Sequence, residues 1–273
     1  MNLSRGILVA LVSSATALTC LLWKGRSIAK ILSTFDSAGS KEAGSSGIAR
    51  VNPGCPADFS NACDAVNAVV HVRARSREKN DRNFGGSGRE SLSSASGVIL
   101  TDDGFIVTND HVIKDAVAIR VTLPNKHSYV AELAGADPLH DLAVLKIREA
   151  KLPFVLLGNS DEARVGDWVL AIGYPWNLDE TITAGIVSAK THLSVQHPVS
   201  YHLTNLIQTD AAINLGNSGG ALVNNAGELI GINTLLVSPN KVYTGYGYAI
   251  PVNDIKESIE HIIGSWKESR QVR

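Results

Sequence analysis

Sulfur and aromatic groups are scarce in this 273-residue chain: it has three Cys, one Met and only 5% aromatic residues. Three cysteines cannot build a disulfide scaffold, so the fold must rest on an ordinary apolar core. A chain of this length buries roughly 75% of its unfolded surface. Excess charge of either sign is also missing. Twenty-five basic and 26 acidic residues leave a net charge of −1, without the basic footprint of a nucleic-acid binder. Charged residues at 19% against apolar ones at 44% exclude wholesale disorder. Pro (9) is rare beside Gly (24), and with many Val and Ile this composition leans toward short strands and turns. His192, His197 and His202 are evenly spaced but suit neither one helix face nor a zinc-ligand pattern. No metal and no cofactor is expected.

One uncharged apolar run is present. Gly6–Trp23 contains Ile7, Leu8, Val9, Leu11, Val12, Leu18, Leu21 and Leu22, long enough to span a bilayer of ~30 Å. Its position at the start of the chain points to targeting. Residues 1–30 are therefore expected to be a membrane anchor that is retained, or a signal segment cleaved near Ala15-Thr16-Ala17. Lys24, Arg26 and Lys30 follow the run, and positive-inside counting does not favour export of what comes after it. Residues 31–55 read as a linker, because Ser37–Gly47 is small and polar. Cys55 and Cys63 read either as a disulfide, which export of the domain would allow, or as two ordinary thiols.

From Val69 onward the pattern has period two. Val70, Val72 and Ala74 alternate with His71, Arg73 and Arg75, and Ile119, Val121 and Leu123 alternate with Arg120 and Thr122, as in half-buried strands. Asp103-Gly104 between Val98-Ile99-Leu100 and Phe105-Ile106-Val107 signals a hairpin whose two turn residues take positive φ. Asn225-Ala226-Gly227 makes a second such signal. Arg75–Ser94 reads as a mobile loop. Only one helix is evident, over 254–263: Asp254 and Glu257 fit a capping box, Ile255, Ile259, Ile262 and Ile263 share a face, and Gly264 is the stop. The fold class is all-β, with strands over about 56–155 and 157–250, a closing helix and a tail at 265–273.

Three segments carry reactive groups. Thr108-Asn109-Asp110-His111-Val112 follows a strand, Asp137-Pro138-Leu139-His140-Asp141 opens another, and Gly216-Asn217-Ser218-Gly219-Gly220 is a glycine-rich turn between apolar runs. A serine needs a base to become nucleophilic, His is the natural base near neutral pH, and the His needs a carboxylate to hold its tautomer. His111, Asp141 and Ser218 supply these groups in the order His, Asp, Ser, which is the chymotrypsin-like order. Glycines around Ser218 let the amides of Gly216 and Ser218 form an oxyanion hole.

These strings, with Asp141-Leu142-Ala143-Val144-Leu145-Lys146-Ile147, Gln208-Thr209-Asp210-Ala211-Ala212-Ile213-Asn214 and Gly227-Glu228-Leu229-Ile230-Gly231-Ile232-Asn233-Thr234, resemble the HtrA/Deg family of trypsin-like serine proteases over about 56–264. The resemblance implies two perpendicular six-stranded β-barrels with the triad in the cleft between them. It implies His111 as base, Asp141 as its orienter, Ser218 as nucleophile, and a homotrimer. Unfolded or misfolded proteins are the implied substrates, with no nucleic-acid partner. The implied location is the bacterial inner membrane with the protease domain in the periplasm, or the periplasm after signal cleavage.

Several positions depart from the family pattern. Only Ser265–Arg273 follow Gly264, so the usual peptide-binding PDZ domain, and activation through it, are not expected. Leu215 stands where the family often has Pro, and His192 aligns with the usual activating Arg. No Ile-Val-Gly-Gly start exists for zymogen cleavage. Six positions before Ser218 stands Ala212 rather than a carboxylate. With Ile213 and Ile232 it would line an apolar pocket, so cleavage after small or medium apolar residues is expected. Asp210 has the wrong offset for a specificity acid and reads as a structural hydrogen-bonding group. The competing readings are a regulated, membrane-tethered protease with one dedicated substrate, and a non-catalytic chaperone-like binding module.

Overall fold

The computed structural model describes residues 62–77, 90–175, 180–191, 205–234 and 244–271. The apolar run Gly6–Trp23, Cys55, and His192, His197 and His202 lie outside them. Among the described residues no helix is long and apolar enough to cross a membrane.

Among the described residues twelve strands form two closed antiparallel barrels. The first contains β1 (Val69–Arg77), β2 (Glu90–Ile99), β3 (Phe105–Thr108), β4 (Ala116–Thr122), β5 (Ser128–Asp137) and β6 (Leu142–Lys146), in the order β1-β2-β3-β6-β5-β4. The second contains β7 (Trp168–Gly173), β8 (Thr181–Thr191), β9 (Leu206–Thr209), β10 (Ala221–Asn224), β11 (Leu229–Thr234) and β12 (Gly247–Pro251), in the order β10-β11-β12-β9-β8-β7. The all-β double barrel with a C-terminal helix, expected from the resemblance, is the observed architecture. Closure leaves no free sheet edge.

The alternation in β1 holds on one face: Val70, Val72 and Ala74 are buried. His71, expected to point outward to solvent with Arg73 and Arg75, is buried as well. It stacks on Tyr174 with ring centroids 5.4 Å apart, and its Nε2 meets Ser94 Oγ at 2.7 Å. The outer face of β1 is thus covered by the segment after β7, which sequence periodicity within one strand does not register.

The expected loop over Arg75–Ser94 is shorter than its composition suggests. The β1–β2 ladder continues outward to Arg77 opposite Glu90, although Ser91, Leu92 and Ser93 are exposed. Main-chain pairing, not burial, holds these arms, so their polar side chains look like a loop in sequence. The hairpin at Asp103-Gly104 forms as expected, with Val98 opposite Val107. Its turn is longer, though: the Leu100 amide donates to Phe105 O (2.8 Å), and only Gly104 has positive φ (+97°). In the second hairpin Gly227 likewise supplies the single left-handed residue, at φ +82°.

Between the barrels the chain is bonded first to one and then to the other. Leu152 and Val155 donate to Asp102 O and Ile99 O, and Gly158 donates to Leu229 O. A continuous core runs across both barrels, from Val70, Phe105 and Val144 to Ile172, Ala221 and Ile250.

Helix α1 is the single turn Asp110–Ile113, and helix α2 is Val252–Gln271. Helix α2 exceeds the expected 254–263 at both ends. It begins directly after Pro251, so Asp254 lies inside the first turn, where an acidic side chain favours the N-terminal dipole, rather than at the cap. Gly264 does not stop it, because its φ is not positive and the helix passes through it. Ile255 and Ile259 are buried in the core, and Gly135 of β5 lets Ile262 come within 2.8 Å of where a Cβ would sit.

Candidate active site

The end of β3 turns directly into α1, which places Asn109, Asp110 and His111 beside Asp141. Asp141 is fully buried and holds a left-handed backbone, φ 52° and ψ 45°, after the 3₁₀ turn Pro138–His140. For a non-glycine residue this costs free energy on the order of 1 kcal/mol, and hydrogen bonds converging on Asp141 offset it. Its carbonyl accepts from Asn109 Nδ2 and from the Asp110 amide, each at 3.1 Å. Its carboxylate accepts from the His111 amide at 2.9 Å and from His111 Nδ1 at 2.8 and 3.0 Å. A carboxylate only accepts, so Nδ1 carries the ring hydrogen and Nε2 is left as the basic nitrogen. Asp110 is buried beside this pair, and burial first, then the charge of Asp141, pushes its carboxyl above the ordinary range. His140, next in the chain, is tied to Asp137 at 2.7 Å and takes no part.

Ser218 lies on a tight turn before β10. Gly216 and Gly219 have φ of +100° and +83°. A Cβ on Gly219 would stand 2.3 Å from both Ser96 O and Thr108 Oγ1, and one on Gly220 2.3 Å from Ile172 O. No side chain fits there. The amides of Asn217, Gly219 and Gly220 donate to Asn214 O, Asn233 O and Asn217 O at 2.9–3.0 Å. The amides of Gly216 and Ser218 donate to nothing among the described residues. The turn therefore fixes the Asn217, Gly219 and Gly220 amides and leaves two N–H groups available to a ligand oxygen. Ser218 is buried, and His111 keeps a quarter of its side chain exposed.

The turn that bears Ser218 and the strand that leads to His111 are both tied to Ser96 of β2, which sequence reasoning did not single out. The Ser96 amide donates to Ser218 O at 2.9 Å, and Ser96 O accepts from Thr108 Oγ1 at 2.7 Å, three residues before His111. The signal in the sequence is slight: Ser96 is the last of four serines in β2, just before Gly97 and the apolar end Val98-Ile99.

The expected pocket residues do not form one wall. Ile213 and Ile232 are both fully buried but belong to separate packed clusters. Ile232 lies opposite Ala221 and Ile250 in the ladder and packs with them in the core that continues into the first barrel. Ala212 is half-buried and its carbonyl accepts from Thr183 Oγ1 at 2.9 Å. Opposite Ile213 is Gly247, where a Cβ would come within 2.9 Å of Ile213 Cδ1. Asp210 has the structural role expected of it: Oδ1 accepts from the Ile186 amide at 2.7 Å. Among the described residues no group of three His, Cys, Asp or Glu side chains is arranged to hold a metal ion.

The model of the trypsin-like peptidase domain matches residues 95–232, from β2 through the Ser218 turn to β11. The chain belongs to the trypsin-like peptidase family. Within that family it is of HtrA/Deg type. It is 47% identical over 174 residues to a probable periplasmic serine endoprotease, DegP-like, of Chlamydia trachomatis, covering 64% of this chain and 34% of that protein. It is 44% identical over 183 residues to the periplasmic serine endoprotease DegP of Escherichia coli strain K12, covering 66% and 38%. The chain thus spans 34–38% of the length of these curated relatives. Among solved structures it is similar to the HtrA-type protease AlgW with a decapeptide, at TM-score 0.65 and 39% identity, covering 76% of this chain and 67% of that one. The same protease with a tripeptide gives TM-score 0.65 and 41% identity over 75% and 63%.

Proposed function

We propose that the protein is a serine endopeptidase in which Ser218 is the nucleophile, His111 the general base and Asp141 the group that orients it. One observation carries this reading. The buried Asp141 carboxylate binds both the ring and the main chain of His111, while the turn bearing Ser218 keeps the Gly216 and Ser218 amides undonated. Nε2 takes the Ser218 proton as Oγ attacks the scissile carbonyl, and the carboxylate of Asp141 stabilises the imidazolium that forms. The oxyanion of the tetrahedral intermediate is received by the N–H groups of Gly216 and Ser218. Nε2 then returns the proton to the leaving amine, and water repeats the sequence on the acyl-enzyme.

Ala212 and Ile213 supply an apolar pocket without a carboxylate, so cleavage follows small or medium apolar residues. Such residues are buried in folded proteins, which makes unfolded or damaged proteins the substrate class. A homotrimer in the periplasm, tethered through residues 6–23 or released by their cleavage, completes the reading. It rests on the HtrA-type relatives and on the apolar run.

The test is casein hydrolysis by the purified protein beside Ser218→Ala. Turnover by the parent alone supports the reading. Equal turnover by both, or labelling by a fluorophosphonate anywhere but Ser218, overturns it.

A further inference from the structure

We infer that Ser96 is a positioning residue for the peptidase reaction: from the first barrel, its hydroxyl fixes the peptide that follows Gly216 and so keeps the oxyanion turn of the second barrel in its working shape. The inference rests on the catalytic reading given above and goes beyond it, because Ser96 touches none of the reacting atoms assigned there.

Gly216 is a hinge without an intrinsic preference. At φ +100° it uses a conformation that glycine enters about as readily as its mirror image. Its own backbone therefore does not decide which way the flanking peptides face. Hydrogen bonds from outside must do so, and they act on the peptide between Gly216 and Asn217. Its carbonyl accepts from Ser96 Oγ at 2.7 Å, and its N–H donates to Asn214 O at 3.0 Å. With that peptide held at both ends, the amides of Gly216 on one side and Ser218 on the other remain undonated.

The direction of the Ser96 hydroxyl is also determined. Tyr174 N–H can only donate, and it donates to Ser96 Oγ at 2.8 Å. The hydroxyl hydrogen is then left for Gly216 O. Ser96 is fully buried, so no water competes for either bond, and its hydroxyl is closely packed: a Cβ on Gly173 would meet Ser96 Oγ at 2.9 Å. The main chain of Ser96 adds a second hold on the turn, through its amide to Ser218 O at 2.9 Å. One residue thus grips the turn on both sides of Asn217. Its carbonyl, accepting from Thr108 Oγ1, ties the same residue to the strand that leads to His111.

The experiment compares the parent, Ser96→Ala and Ser218→Ala as full-length protein on a chromogenic apolar peptide. Turnover is normalised to active sites counted with a fluorophosphonate. Ser96→Ala should lose about tenfold in kcat per titrated site, less than the loss of an oxyanion donor itself, with KM within about twofold. Its affinity for a peptide aldehyde, whose hemiacetal oxygen enters the oxyanion hole, should fall by the same factor as kcat/KM. A purely structural role would reduce the number of titrated sites and leave kcat per site unchanged, and kcat per site within threefold of the parent overturns the inference. If Ser96→Ala does not fold, Ser96→Cys keeps the volume with a weaker donor and should show the same loss in kcat; parental turnover in that variant is again fatal to it. A parent without turnover, or Ser218→Ala with parental turnover, overturns the catalytic reading and this inference with it, and is distinct from an active parent whose Ser96 variants match it.

Discussion

Asp141 holds His111 at two points at once, accepting from its main-chain amide at 2.9 Å and from its ring Nδ1 at 2.8 Å. It does so from a left-handed backbone at φ 52°. The ring and the turn that carries it are therefore oriented by the same carboxylate. Asp141→Asn keeps the shape but offers an amide that can donate to Nδ1, which selects the wrong tautomer. The expected loss is roughly 10⁴-fold in kcat, the scale known for such a change in this class of triad, with little change in melting temperature. A kcat within tenfold of the parent would show that Asp141 does not set the tautomer.

The turn at Ser218 gives a test through shape alone. Gly219 has φ +83°, and a Cβ there would stand 2.3 Å from the Ser96 carbonyl and from Thr108 Oγ1. The carbonyl is main chain and cannot step aside without moving β2. Gly219→Ala should cost at least about 2 kcal/mol, from backbone strain and displacement together, and should abolish turnover in the fraction that folds. Chemical denaturation beside an active-site titration checks both parts. A folded, fully titratable Gly219→Ala would mean that the turn is looser than these distances require.

Much of this site was legible in the residues. His111, Asp141 and Ser218 each stand in a short string of unusual composition beside an apolar run; strand periodicity found β1 and β4 of the first barrel, and the Asn225-Ala226-Gly227 turn signal found the hairpin of β10 and β11 in the second. What stayed hidden depends on contacts across the fold. Ser96 acquires its meaning from Gly216, 120 positions away, and His71 is buried by Tyr174 from beyond its own barrel. Ile232 looked like a pocket residue because it is apolar and near the site in sequence, but it packs with Ala221 and Ile250 in the core. Gly264 looked like a helix stop because glycine often is one, yet the packing of Ile255 and Ile259 carries α2 on past it.

Glu180 gives a prediction in pH. Its carboxyl is pushed up to about 7 from 4.5 by burial, which Lys126 only partly counters, and its buried Oε1 has no hydrogen-bond partner among the described residues. In the unfolded chain the same carboxyl ionises near 4.5. Between these values the unfolded state releases its proton and the folded state keeps it. Its contribution to stability is therefore fully present below pH 4.5 and is lost as pH rises to about 7. Glu180→Gln removes the titration. The variant should melt at a higher temperature than the parent above pH 7, and the difference should vanish at pH 4. A difference in melting temperature that does not change with pH would show that Glu180 is not the group responsible.

The pocket is tested by enlarging it. Ile213 is fully buried and meets Gly247, where a Cβ would come within 2.9 Å of its Cδ1 and 3.0 Å of Ala211 O. If Ile213 limits the pocket, its side chain sets the depth available to the residue before the cut. Ile213→Ala removes that limit at a cost of about 2–5 kcal/mol in stability. It should move preference from Val toward Leu and Phe, by about tenfold in the ratio of their kcat/KM values, the scale of one or two methylene groups in an apolar pocket. Gly247→Ala should act oppositely: its Cβ pushes on Ile213, narrowing the space and favouring Ala over Val. Both ratios come from a series of peptides differing only at the cleaved residue. If the ratios stay constant in both variants, Ile213 does not line the pocket. If Ile213→Ala instead hastens cleavage after Lys or Arg more than after Leu, the pocket is not the apolar one proposed.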